Sequence, residues 1–197
     1  MPGPWTIRLE SGDNKVAEKT FKVVAVGDIY VHVGKWASQL PRLRQGNALY
    51  PNEAMTHNYL GHAYREFMEY DLALEEYTKA ISLEPHPNFY NNRCLTYNNK
   101  GEYDKALEDC NQALALDPRH IGGLINRGNS FRLQGKYDKA IEDYNQSLQI
   151  VSKEDHTNSA LAYYNRALAY EAKGELDKAQ ADRKKACELD ASLCKNP

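Results

Sequence analysis

Residues Ala54 to Pro85 read AMTHNYLGHAYREFMEYDLALEEYTKAISLEP, and most of the remaining chain copies them. Leu60, Gly61 and Tyr64 recur at helical spacing on a first segment, and Ala73, Tyr77 and Ala80 on a second, which Pro85 closes. Apolar residues at steps of three and four predict two amphipathic helices, each with one buried stripe and one wet face. Small residues mark where the helices come closest: Gly61 on the first, Ala73 and Ala80 on the second.

Three further copies follow. NFYNNRCLTYNNKGEYDKALEDCNQALALDP puts Cys94, Tyr97, Ala106, Cys110, Ala113 and Pro118 in the same slots. GGLINRGNSFRLQGKYDKAIEDYNQSLQI supplies Gly128, Phe131, Ala140, Tyr144 and Ser147; LAYYNRALAYEAKGELDKAQADRKKACELD supplies Ala167, Tyr170, Ala179 and Ala186. From Ala73 through Ala106 and Ala140 to Ala179 the steps are 33, 34 and 39 residues. A fixed period of this size means a solenoid of stacked helical pairs, and the extra residues of the last step, around Lys153 to Thr157, belong in a loop between helices.

These slots resemble the tetratricopeptide repeat, a helix-turn-helix unit of 34 residues, over about 140 of the chain's 197 residues. The resemblance implies an all-α, right-handed superhelical solenoid of four repeats, spanning 54–86, 87–120, 121–159 and 160–193. His57, Tyr90, Leu124 and Tyr163 stand where the family often has tryptophan, and the closing proline is replaced by Ser152 and Ala191 in the last two copies.

The N-terminal part differs. In Trp5 to Val24, apolar Trp5, Ile7 and Leu9 alternate with polar neighbours, SGDN supplies a turn, and Phe21 and Val23 resume the alternation. This predicts a β-hairpin with a linker over 1–35, loosely resembling the last two strands of an immunoglobulin-like sandwich. Such a hairpin needs a surface to lie on, and its edge could pair two copies as a weak homodimer in place of a monomer. Residues 36–53 read as a capping helix or degenerate half-repeat, with Trp36, Leu40 and Leu43 shielding the first full repeat; an ordinary connector helix is the alternative.

Net charge is −2, split as +2 through Glu53 and −4 beyond it, so no basic field points to nucleic acid. No apolar run approaches the roughly 20 residues of a membrane helix, and MPGPWTIRLESG lacks a signal-peptide layout. The expected setting is the cytoplasm, or a periplasmic or envelope location if the chain is a fragment of a longer exported protein.

Gly101, Gly135 and Gly174 are expected to end first helices in the left-handed conformation, with Asp104, Asp138 and Asp177 at the positive start of the next. Met68 stands in the glycine's place in the first copy. Arg93, Arg127 and Arg166 each precede an aspartate by 16 residues: Asp109, Asp143 and Asp182. The first copy has Leu60 and Glu76 there, so arginine and aspartate come and go together. That predicts structural ion pairs between helices.

In arrays of this family the first helices line a concave groove. By helical phase, the groove face holds Asn58, Tyr59, His62 and Arg65; Asn91, Asn92, Asn98 and Asn99; Asn126, Asn129 and Arg132; and Tyr164 and Asn165. Asparagine offers donor and acceptor to the backbone of an extended peptide, and Asn92, Asn126 and Asn165 form a ladder of one per repeat. Tyrosines add amphipathic contact area. Family members that hold the C-terminal carboxylate of heat-shock chaperones use Lys, Asn and Arg over three first helices; the neighbouring slots here hold Asn58, His62, Asn91, Gly122 and Leu161, with no lysine.

No nucleophile-base pair, phosphate loop or metal-ligand cluster is evident, and His57 and His62 are not an i,i+4 zinc pair. No cofactor, metal or enzymatic activity is therefore expected. Cys94 and Cys110 fall in core slots, and they and Cys187 and Cys194 are expected as free thiols suited to a reducing compartment, with a Cys94–Cys110 disulfide as the lesser alternative. Arg183, Lys184 and Lys185 predict a last helix that faces water or a charged partner. The reading is a non-catalytic scaffold binding a protein or peptide of unspecified identity in its groove; the alternative is a regulatory or targeting domain of a larger enzyme or an envelope or secreted assembly.

Overall fold

The computed structural model describes residues 39–152 and 154–195. The hairpin expected over 1–35, and Trp36 of the capping segment, lie outside the described residues. Residues 39–49 form helix α1. Eight more follow: α2 (Ala54–Glu66), α3 (Tyr70–Leu83), α4 (Pro87–Lys100), α5 (Tyr103–Leu116), α6 (Ile121–Leu133), α7 (Tyr137–Ile150), α8 (His156–Ala172) and α9 (Leu176–Leu189). A 3-10 turn, Ala191–Lys195, ends the described chain. No strand occurs among the described residues.

The sequence dictates where each helix stops. Gly101, Gly135 and Gly174 have φ of 80°, 75° and 79°, the left-handed turn that closes a first helix. Met68 adopts the same turn at φ 60° without the freedom that glycine has. Asp71, Asp104, Asp138 and Asp177 sit in the first turns of α3, α5, α7 and α9, where the helix dipole favours a negative charge. The extra residues of the lengthened step do not form a longer loop as expected: the α7–α8 connection is only residues 151–155, and α8, 17 residues long against 13 for α6, takes up most of them as an added N-terminal turn capped by Asp155.

Consecutive helices pair as α2–α3, α4–α5, α6–α7 and α8–α9, and each second helix packs on the first helix of the next pair. First helices also pack on one another, α2 with α4, α4 with α6 and α6 with α8, whereas second helices do not pack to that extent. The layer of first helices is therefore the inside of the curve. Alanines at 73, 80, 106, 113, 140 and 186 are fully buried where helices cross. A side chain begun at Gly61 would meet the Tyr77 ring at 2.8 Å, and one at Gly128 the Tyr144 ring at 2.6 Å.

The cysteines differ from expectation. Cys94 is disulfide-bonded to Cys110, Cys187 to Cys194, and no cysteine is free. The reason is geometric: 94 and 110 are the slots that hold Gly61 with Tyr77 and Gly128 with Tyr144, the closest approach within a repeat. The second disulfide ties the 3-10 turn back onto the end of α9. Arg183 also departs from a simple water-facing role. It is half-buried, hydrogen-bonded to Glu171 and stacked over Tyr164 at 5.6 Å.

Candidate functional site

Three guanidinium clamps hold the scaffold behind the inner face. Arg93 donates from Nε and Nη2 to the two carboxylate oxygens of Asp109, both at 2.7 Å. Arg127 grips Asp143 at 2.9 and 2.7 Å, and Arg166 grips Asp182 at 2.6 and 2.8 Å. The third nitrogen of each reaches back to the preceding repeat: Arg93 to Thr78 at 2.9 Å, Arg127 to Asn111 at 3.1 Å, Arg166 to Asn145 at 2.5 Å. Each clamp thus fixes the angle within one repeat and the register to the last. Burial pushes the Asp109 and Asp143 carboxyls above their ordinary value, which the facing guanidinium only partly offsets. In the first repeat His57 takes over, its Nδ1 at 2.6 Å from Glu76 and its Nε2 at 2.9 Å from the carbonyl of Pro51.

Asparagines sew the first helices together. Asn92 donates to Asn58 Oδ1 at 2.9 Å, and Asn126 donates to Asn91 Oδ1 at 2.8 Å, so each amide reaches the preceding repeat. Asn98 donates to the Asn126 carbonyl at 3.1 Å and accepts from Ser130 at 2.8 Å. The series ends at Asn165, which donates to Leu161 of its own helix at 2.9 Å, because its would-be partner slot holds Ile125. The amide ladder is thus an inter-repeat brace, and Asn126 is only 8 % exposed. Asn92, Asn129, Tyr164 and Asn165 are half-buried, and Tyr59 is 51 % exposed.

The floor between these side chains is set by the second helices. Tyr144 donates its hydroxyl to Asn129 at 2.8 Å, with Arg132 one turn further along α6. Arg65 contacts His62 Nε2 at 3.0 Å and Glu66 at 2.9 Å. Burial lowers the His62 imidazole below its ordinary value, and the Arg65 charge lowers it further. Among the described residues, no group of three or more His, Cys, Asp or Glu could hold a metal ion. Nor is any described helix long and apolar enough to cross a membrane.

Spacing alone foreshadowed the clamps. It did not reveal that His57 pairs with Glu76 or that the asparagines bond to one another, although the offsets from 58 to 92 and from 91 to 126, close to one repeat, carry that signal.

Three family models, each described as a tetratricopeptide repeat, match residues 57–87, 87–120 and 119–192. No curated protein sequence matches the chain. Among solved structures, the chain is similar to MamA, at 24% identity over 89% of this chain and 100% of that one, with a TM-score of 0.63. It is also similar to TTC0263, a thermophilic TPR protein of Thermus thermophilus, at 21% identity over 84% and 90% of the two chains and a TM-score of 0.70. These two likenesses speak to the fold. The first TPR of Spaghetti (RPAP3), bound to the HSP90 peptide SRMEEVD, is 25% identical over 66% of this chain and 91% of that one, with a TM-score of 0.51.

Proposed function

Since the chain belongs to the tetratricopeptide repeat family, whose members generally mediate protein–protein interactions, we propose that it is a non-catalytic scaffold holding an extended polypeptide against its first helices. The observation that carries this reading is the make-up of the inner face. Exposed Met55, Tyr59 and Leu161 offer apolar contact, while the half-buried amides of Asn92 and Asn165, two repeats apart, offer hydrogen bonds beyond those they give to Asn58 and Leu161. Spaghetti's peptide complex is a precedent for such a ligand in a 25% identical array. The chaperone carboxylate itself is a poor candidate here, for want of the lysines.

The test is selection of a random dodecapeptide library, displayed on phage, against the intact chain. Selected peptides are expected to bind the intact chain and to lose affinity for a Tyr59→Ser/Asn165→Ala variant of unchanged helical circular dichroism. Peptides bound equally by both would locate the ligand elsewhere.

The paired cysteines favour an oxidising setting, such as an envelope or secreted assembly, over the cytoplasm. Acid-quenched thiol titration of protein from its native source tests this; four reactive thiols would return the chain to a reducing compartment.

A further inference from the structure

Among the described residues, every arginine that is not exposed has a carboxylate beside it, with one exception. Among the described residues, Arg65, Arg93, Arg127, Arg166 and Arg183 each have a carboxylate in ion-pair contact. Arg42, Arg44 and Arg119 are exposed, where water serves. Arg132 is half-buried, has no such carboxylate, and its Nε is buried with no hydrogen-bond partner. An enclosed guanidinium with neither counter-ion nor full hydrogen bonding is costly, and buried charge is ordinarily paired.

The position in the fold says what is missing. Residues 65, 98, 132 and 171 occupy one slot, repeated along the floor of the inner face. Arg65 is satisfied by Glu66, and Glu171 by Arg183. The residue after Arg132 is instead Leu133, which is 42 % exposed. Beneath lies Tyr144, fully buried, which donates its hydroxyl to Asn129 at 2.8 Å and offers Arg132 a neutral phenol oxygen as hydrogen-bond partner, leaving the charge uncompensated and Nε unpartnered. The second helix therefore sets a phenol and not an acid against Arg132, its buried Asp143 being held by Arg127, and a fully buried ring blocks retreat into the core.

We infer that Arg132 is the anchor for the carboxylate of an aspartate or glutamate side chain in the polypeptide held against the first helices. This rests on the groove reading above and adds the charge and the site of one ligand residue. A planar guanidinium suits that partner because it can grip a carboxylate at two points.

The dodecapeptide library tests it, since displayed peptides fused at their C-termini carry no free terminal carboxylate. Peptides selected on the intact chain should share an acidic residue at one fixed position. Made as amidated synthetic peptides, their Glu→Gln or Asp→Asn forms should bind the intact chain about tenfold more weakly, and bind Arg132→Gln no more weakly than the acidic forms do. The peptide-side change is informative even if Arg132→Gln fails to fold. Selected peptides with no acidic preference, or an acid-to-amide penalty unchanged in folded Arg132→Gln, would overturn this inference and leave the groove reading standing. Binding that appears only when the C-terminus is left free would assign the carboxylate to a chain end and overturn it as well. Failure to select any peptide would remove both.

Discussion

Cys94 on α4 and Cys110 on α5 are joined across the same two positions that hold Gly61 with Tyr77 and Gly128 with Tyr144, their Cα atoms 5.5 Å apart. Glycine lets a tyrosine ring lie flat against the backbone of the facing helix, and the second repeat replaces that fit with a covalent bond. Both solutions bring the two helices to their closest approach.

The disulfide closes a 16-residue separation, so removing it as Cys94→Ala/Cys110→Ala should cost about 3 kcal/mol, by restored chain entropy in the unfolded state and an unfilled core slot. Cys94→Gly/Cys110→Tyr, which copies the neighbouring repeats, should lose less. Urea unfolding of the three proteins checks the ranking; equal midpoints for the two variants would show that the Gly–Tyr fit does not transfer to this repeat.

Asp143, 3 % exposed, relies on Arg127 alone for charge compensation. Arg127→Ala strands a buried carboxylate and should destabilise by about 3–5 kcal/mol, whereas Arg127→Met/Asp143→Leu should recover most of that loss. The comparison separates what the pair contributes from what an orphaned charge costs. Calorimetric melting of the single and double variants decides it: a double variant as unstable as the single one would mean the clamp is needed for its geometry, through Asn111 at 3.1 Å, more than for its charge.

How much of this could be read beforehand depended on whether a feature repeats. The helix pairs recur at every step, and the glycine turns and arginine–aspartate clamps in three repeats of four, so spacing exposes them. The Cys94–Cys110 bond is within reach too, since Gly61 marks the closest approach and Cys94 stands in its slot, but burial alone does not say which residue a thiol faces. Arg183 reads from the sequence as an end-of-array charge, because nothing in the spacing says that Glu171 reaches it. Arg132 was legible as a residue of the inner face, but its enclosed Nε follows from rotamer and packing, which leave no periodic trace.

Met68 carries the backbone strain of the array. At φ 60° and 60 % exposure, its side chain gains little packing to offset the left-handed turn. Met68→Gly should therefore stabilise by on the order of 1 kcal/mol, the relief of strain exceeding the added freedom of glycine in the unfolded chain. An unchanged or lower melting temperature would mean that Met68 has contacts worth more than that strain.

His120 links stability to pH through a helix cap. Its Nδ1 accepts the Gly123 N–H at 2.9 Å at the start of α6, and its Nε2 lies 2.7 Å from Asn88 Oδ1, so the neutral tautomer with the proton on Nε2 satisfies both contacts. Protonating Nδ1 would abolish the cap. Burial lowers the folded imidazole below its ordinary value of 6.5, partly countered by Asp117, and His62 shifts the same way. Unfolded chains then bind protons more readily than folded ones. Stability from these groups is full above pH 6.5 and falls as the pH drops through that value towards the lower folded one. His120→Asn, which keeps a capping acceptor without titrating, should lose less than about 1 kcal/mol at neutral pH and flatten the decline on acidification. Melting temperatures measured across that range for both proteins test this, and an acid slope unaltered in His120→Asn would assign the dependence to His62 or to the carboxylates.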